Sequence, residues 1–415
     1  MPLTNSPGPK IRNQWTGDLK NYYIFLRYMI SLYATISILF LCCCSKTTER
    51  EPPETPSEVL NEVVRSAAYQ YINLDELQLQ EIILSENDII YSVNGEVHHD
   101  EPLLGHISTS AYRQANFYIY DLPSAAIYKV SKEGAIEGPL TREGRGPGEH
   151  NIVGNLKGNT RHIYATDLNN ARINRYTHEM EPVDPIPGFQ HSPSSSLVDL
   201  NDERMLTGNR NSGGFSPVNP EQGLISVSPV DNLSDTIATI MPRIIPVGYQ
   251  PMSFNNTSFS INSHNRIAAS YAYLPWIFLF DEDNSHVLTL ILEYSAFDEM
   301  NIPSMEIFRP QGNEGFGGAN PVTRFRLMDD GDIFLTIYRK HSDQGKPREL
   351  IRLTPSGDNS YKAVGKYNIN YYGSDDVMWS YDSVPVSDGD NTLFYGRTPE
   401  YLFRFTLPDG KNSTR

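Results

Sequence analysis

From Leu77 onward the apolar and polar positions of this chain alternate with a period of two, and the alternating runs come in pairs. Phe117–Asp121 is followed by Ala126–Val130, His162–Asp167 by Arg172–Tyr176, and Glu203–Thr207 by Gly223–Val227. Arg266–Tyr271 is followed by Trp276–Asp281, Asp332–Ile337 by Glu349–Leu353, and Thr392–Gly396 by Tyr401–Phe405. Each pair reads as two strands rich in β-branched and aromatic residues around a polar turn. Six such units, at blade-like intervals of about 40–50 residues or somewhat more, predict an all-β six-bladed β-propeller, in which neighbouring blades cover each other's apolar faces. Paired β-sandwiches would instead space strands evenly, at about 8–12 residues. Ahead of the pairs, Pro56–Tyr71 carries Leu60, Val63, Val64 and Ala67 at helical spacing, which predicts a short helix. Ile82–Leu84 and Ile89–Tyr91 are strand-like, and little chain follows Phe405. One of these early strands is therefore expected in the last blade, closing the ring, so that a chain cut before about residue 95 would unfold.

The amino-terminal segment has a different pattern. Tyr28–Leu41 is uncharged and apolar, preceded by Lys10, Arg12, Lys20 and Arg27 against the single acid Asp18. It is short for a membrane-spanning helix, which needs about 20 residues, and suits a signal-peptide core of about 7–15. All three cysteines follow it, as Cys42-Cys43-Cys44. Leu41 to Ser45 resembles a bacterial lipoprotein cleavage box, with Cys44 the best-fitting lipidation site and Cys43 the second. The competing anchor, a helix spanning 22–41, would bury Arg27 in the bilayer. The expected organisation is a lipoprotein signal peptide over 1–44, a tether and short helix over 45–74, and the propeller over 75–415. No cysteine follows Cys44, so the exported domain is expected to stand on core burial without disulfides.

The chain of 415 residues has a formal net charge of −16, with 29 Gly, 29 Pro and 25 Tyr. Losing residues 1–44 would make it more acidic still. Such a surface repels phosphate backbones and anionic bilayers, which argues against nucleic acid as a partner and leaves the lipid as the membrane anchor. The sequence holds no His-Glu-x-x-His, no Gly-x-Ser-x-Gly and no phosphate-binding Gly loop with Lys. Adjacent His98 and His99 would point apart, a poor chelate, so no metal and no cofactor is expected. The acidic turns Asp329–Asp332, Asp388–Asn391 and Asn201–Glu203 each precede a strand, where Asp and Asn bond their own backbone, and they read as turn chemistry.

Between the first two pairs lies Gly144-Arg145-Gly146-Pro147-Gly148-Glu149, followed by Ile163-Tyr164 with Asp167 and by Arg172-Ile173 with Tyr176. This combination resembles the bacterial six-bladed β-propeller lipoproteins grouped with TolB-like and NHL-like propellers, most clearly over 105–180. His150 departs from it, standing where a bulky apolar residue is usual. The resemblance implies a propeller in the cell envelope and no defined activity. Read from its residues, the glycine-rich segment is a tight crossover between blades. Arg145 and Glu149 would pair with each other or with the next blade's backbone; in the functional reading Arg145 faces a ligand in the central channel.

Gln311–Asn320 is a long Gly-rich loop. Tyr371, Tyr372, Trp379 and Tyr381 form an aromatic stretch suited to sugar or peptide contacts, or to packing between blades. Tyr271, Tyr273 and Trp276 are expected in the blade core. The functional expectation is a non-catalytic module, lipid-anchored at the outer membrane on its periplasmic or surface side. It would bind an envelope protein, a peptide or a glycan. The alternative is a hydrolase or lyase whose axial site is assembled from several blades.

Overall fold

The computed structural model describes residues 58–93, 104–186, 198–208, 223–244, 256–271, 274–298, 322–338, 348–371, 386–387 and 393–407. The chain divides into Met1–Lys46 and Thr47–Arg415, and all described residues lie in the second unit. That unit is a six-bladed β-propeller.

Every predicted pair is the central hairpin of a blade. Blade 1 consists of Ile107–Arg113, Asn116–Asp121, Ala126–Ser131 and Ile136–Glu137. Blade 2 consists of Val153–Gly158, Ile163–Asp167, Arg172–Tyr176 and Pro182–Ile186. Blade 3 follows with Val198–Leu200, Arg204–Gly208, Ile225–Pro229 and Ala238–Ile240. Blade 4 has Thr257–Ile261, Ile267–Tyr271, Trp276–Phe280 and His286–Glu293. Blade 5 has Val322–Leu327, Ile333–Tyr338, Arg348–Gly357 and Ser360–Tyr371. Blade 6 has Val386–Ser387, Leu393–Arg397 and Tyr401–Thr406. The first strands of blades 1 to 5 pack against one another in turn, so the first strand of each is its inner strand.

Three early strands, β1 (Ala68–Asn73), β2 (Leu79–Leu84) and β3 (Ile89–Ser92), complete three different blades. β3 pairs antiparallel with Tyr401–Phe403 and supplies the fourth strand of blade 6, which is the expected ring closure. β1 and β2 add parallel fifth strands to the outer edges of blades 4 and 5. The ring thus takes up chain from Ala68, ahead of the start expected at residue 75. The expected helix is α1 (Glu58–Arg65), with Leu60 and Val64 buried. It stops before Ala68 because Tyr69 and Ile72 are drawn into the core as strand residues.

The buried apolar residues explain the ring. Among the described residues they form six clusters, each bridging two neighbouring blades, including blades 6 and 1. Tyr118, Tyr164, Tyr271 and Phe334 sit in separate clusters and are almost fully buried. Tyr271 and Trp276 lie in the core as expected; Tyr273 is outside the described residues.

Polar groups supply a second seam. Asn159, Asn201 and Asn262 each follow an inner strand, and each side-chain oxygen accepts N–H groups of its own turn. Each side-chain nitrogen then donates to a carbonyl of the next blade: Asn159 to Asn201, Asn201 to Asn262 and Asn262 to Met328, at 3.2, 2.7 and 3.2 Å. The Asn201 turn is therefore structural, as expected, and so is Asp330, whose oxygen accepts the Asp332 N–H at 2.9 Å. The turn Asp388–Asn391 lies outside the described residues.

Candidate functional site

The crossover Gly144–Glu149 joins blades 1 and 2, and the structure shows why its motif residues occur together. Arg172 Nη1 donates to the Arg145 carbonyl, and its Nη2 donates to the carbonyls of Gly146 and Glu149, at 3.0, 3.0 and 2.6 Å. Asn170 donates to the Gly144 carbonyl and to Asp167, and Asn174 donates to the Glu149 carbonyl. Gly148 has φ +74° and packs on Pro182, so a side chain there would be strained. Glu149 pairs with Arg142 at 2.7 Å, and its other oxygen accepts the Gly146 N–H. That N–H bond, and then Arg142, hold the carboxyl below its ordinary range. The partner of Glu149 is thus Arg142 and backbone rather than Arg145, whose side chain is exposed. Gly144, Arg145, Gly146, Pro147, Gly148 and Glu149 form one hydrogen-bonded unit against the second hairpin of blade 2. His150 is fully buried against Tyr120, and burial holds its imidazole below the ordinary value, so a neutral ring fills the apolar position.

The charges that meet at the axis come from other residues. Lys157, on the inner strand of blade 2, lies 2.9 Å from Asp199 Oδ1 on the inner strand of blade 3. Arg326, on the inner strand of blade 5, lies 3.3 Å from the same oxygen. Side chains from blades 2, 3 and 5 can meet only across the middle of the ring. Asp199 Oδ2 accepts the Ile261 N–H of blade 4 at 3.0 Å. Arg113, ending the inner strand of blade 1, donates to the carbonyls of Gly158 and Tyr112 at 2.6 and 3.2 Å. Arg397 of blade 6 donates to the Ile107 carbonyl of blade 1 at 3.0 Å. Arg324, on the inner strand of blade 5, is exposed.

Similar bonds link the other inner strands. Thr109 accepts the Leu156 N–H, Asn155 donates to the Val198 carbonyl, and Ser260 accepts the Leu327 N–H. The inner wall of the ring is therefore polar, whereas the space between blades is apolar.

Electrostatics marks the axis as confined. Burial would raise the Asp199 carboxyl, but Lys157 and Arg326 outweigh it and hold it below its ordinary range. Burial lowers Lys157 against the pull of Asp199. Arg113 falls to about 10 through burial and the nearby Arg326, despite Asp199, Asp202 and Asp329. Arg397 falls to about 9 through burial and then Arg324. Desolvation by the surrounding protein also lowers Arg324, although its side chain reaches solvent. Yet Lys157 keeps 31% and Arg326 22% of its side-chain surface open. Groups that are desolvated by the surrounding ring and still reach solvent face its central bore.

Among the candidates read from the sequence, Tyr371 ends the fourth strand of blade 5. Tyr372, Trp379, Tyr381, Cys43, Cys44, His98, His99 and Gln311–Asn320 lie outside the described residues. Sequence reading missed Arg113, Lys157, Asp199, Arg324 and Arg326 because it did not place the inner strands. A signal was present: Lys157 and Asp199 each pair with the second strand of their blade, opposite Tyr164 and Leu206, at the same sequence offset. No cluster of three or more His, Cys, Asp or Glu suited to a metal occurs among the described residues, and no described helix is long and apolar enough to cross a membrane.

No protein-family model matches the chain, and no curated protein does. Among solved structures, the chain is similar to a protein from Bacteroides fragilis described as exported, with a TM-score of 0.45 and 12% identity over 71% of this chain and 80% of that one. It is also similar to a member of the DUF4221 family from Bacteroides vulgatus, with a TM-score of 0.45 and 11% identity over 72% of this chain and 92% of that one.

Proposed function

We propose that this chain is an exported cell-envelope propeller of the TolB-like and NHL-like lipoprotein kind, anchored by lipid on Cys44, that binds a ligand at its axis without transforming it. The observation that carries the reading is the convergence of Arg113, Lys157, Asp199 and Arg326 from four blades on a solvent-reaching bore. Binding energy concentrates where polar groups are fixed in advance and partly desolvated. Asp199 stays charged at neutral pH, and Arg113 and Arg397 at about 10 and 9 hold positive charge there, which suits binding more than proton transfer. The aromatic stretch Tyr371, Tyr372, Trp379 and Tyr381 is a second contact surface in this reading, toward a peptide, glycan or envelope protein.

Native mass spectrometry of the protein purified from its host envelope tests the reading. A retained ligand that is lost in Lys157→Met supports the axial site; retention unchanged in a folded variant moves the site elsewhere. Cys44→Ser should shift the protein from the membrane to the soluble fraction, and a membrane-bound variant would sink lipidation at that residue. A second reading has one observation in its favour. Lys157 is lowered by burial and could serve as the base of an axial lyase or hydrolase. Time-dependent conversion of the retained ligand, abolished by Lys157→Met, would select it.

A further inference from the structure

Among the described residues, the axis holds more positive than negative charge. Lys157 and Arg326 share a single oxygen of Asp199, and the other oxygen of that carboxylate is taken by a backbone N–H. Arg113 bonds two backbone carbonyls and, among the described residues, has no carboxylate in contact. Among the described residues, three cations therefore face one carboxylate, within a chain whose formal charge is −16. The next acids, Asp202 and Asp329, lie in neighbouring turns and are engaged there. Asp202 accepts from the N–H and hydroxyl of Thr160, and Asp329 accepts from the Ser263 N–H, each at 2.8 Å.

Holding cations together in a confined, partly desolvated space is unfavourable unless negative charge joins them. A guanidinium offers a planar fork that matches two oxygens of one oxyanion, and an ammonium adds a point charge beside it. From this arrangement we propose that the axial bore is an oxyanion site: Arg113, Lys157 and Arg326 receive a carboxylate or phosphate group of a small ligand, and Asp199 competes for the same two cations. The proposal rests on the axial binding reading above and names the chemistry of its ligand. The acidic outer surface does not steer anions inward, so recognition is short-ranged and resides in these side chains.

The competition gives a test with opposite signs. Isothermal titration of the purified full chain in detergent, at low ionic strength, would use galacturonate, inorganic phosphate and neutral galactose as probes. Galacturonate or phosphate should bind, and which one binds separates a carboxylate from a phosphate ligand. Arg113→Gln and Arg326→Gln should each weaken that binding by about tenfold or more, the scale of a lost charged hydrogen bond. Asp199→Asn keeps an acceptor for the Ile261 N–H and frees Lys157 and Arg326, so it should bind the anion several-fold more tightly. A purely structural role for Asp199 would weaken binding instead. Near-ultraviolet circular dichroism confirms the fold of each variant. The proposal is overturned if neither anion binds the folded wild type, if the folded Arg113→Gln variant binds as well as wild type, or if folded Asp199→Asn binds less tightly. Galactose binding that is lost in Lys157→Met, without anion binding, would overturn the oxyanion chemistry and leave the axial binding module standing.

Discussion

Asp199 is one side chain on which three other blades converge, and its removal tests how the ring's centre is held. Asp199→Ala leaves Lys157 and Arg326 facing each other and the Ile261 N–H without its acceptor. The expected loss is about 2–3 kcal/mol in chemical denaturation, below the usual figure for a broken buried pair because both cations keep some water. A loss below about 0.5 kcal/mol would mean that the pair adds nothing to stability. His286 offers a pH test. It packs against Phe278 and Phe280, with Ser66 and Thr289 beside its nitrogens. Burial lowers it to about 4 from 6.5. The unfolded chain then binds more protons between those values, so the neutral ring's contribution is complete above about pH 6.5 and is lost as pH falls toward 4. That loss is about 3 kcal/mol, and His286→Asn should flatten this part of the stability–pH curve. Neither residue was legible as special in the sequence, since an isolated Asp or His acquires its meaning from the blade opposite.

At the scale of the element, the central hairpins were legible and the inner strands were not. Ile267–Tyr271 and Trp276–Phe280 are buried along their whole length, so they read as continuous apolar runs. Val153–Gly158 and Val322–Leu327 meet a neighbouring blade on one side and a polar bore on the other, and their Lys and Arg obscure the strand pattern. The early strands were legible as strands. That β2 joins blade 5 was not, because a parallel edge pairing carries no local signal. The asparagine seam was visible only as ordinary turn chemistry. Asn201→Ala removes an acceptor for two turn N–H groups and donors to the Asn262 carbonyl and the Asn265 side chain. It should lower stability by about 2 kcal/mol, while Asn201→Asp, which restores only the acceptor, should lower it by about half as much. Equal effects would show that the bond between blades contributes nothing.

For the molecule as a whole, six apolar clusters between blades make stability a property of the closed ring. Tyr91 of β3 is fully buried in the cluster joining blades 6 and 1, and its hydroxyl accepts the Leu104 N–H at 3.0 Å. Tyr91→Ala should cost about 3–5 kcal/mol and lower the midpoint of a single thermal transition. A variant that melts in two separate steps would show that the blades unfold independently.

The strands β1, β2 and β3 also set the order of events in folding. The partner of β1 is Leu288–Glu293, that of β2 is Lys366–Tyr371, and that of β3 is Tyr401–Phe403. Three strands near the start of the unit must therefore wait for segments in its second half, with their edges open meanwhile. Blades 1 to 3 draw only on local chain and can form early. Blade 4 cannot be finished until the chain reaches Glu293, blade 5 until it reaches Tyr371 and blade 6 until it reaches Thr406. Such long-range pairing is slow, and it leaves unpaired strand edges exposed to other chains while it proceeds. The ring that ends as the most protected arrangement of these strands passes first through the state in which they are most vulnerable to aggregation.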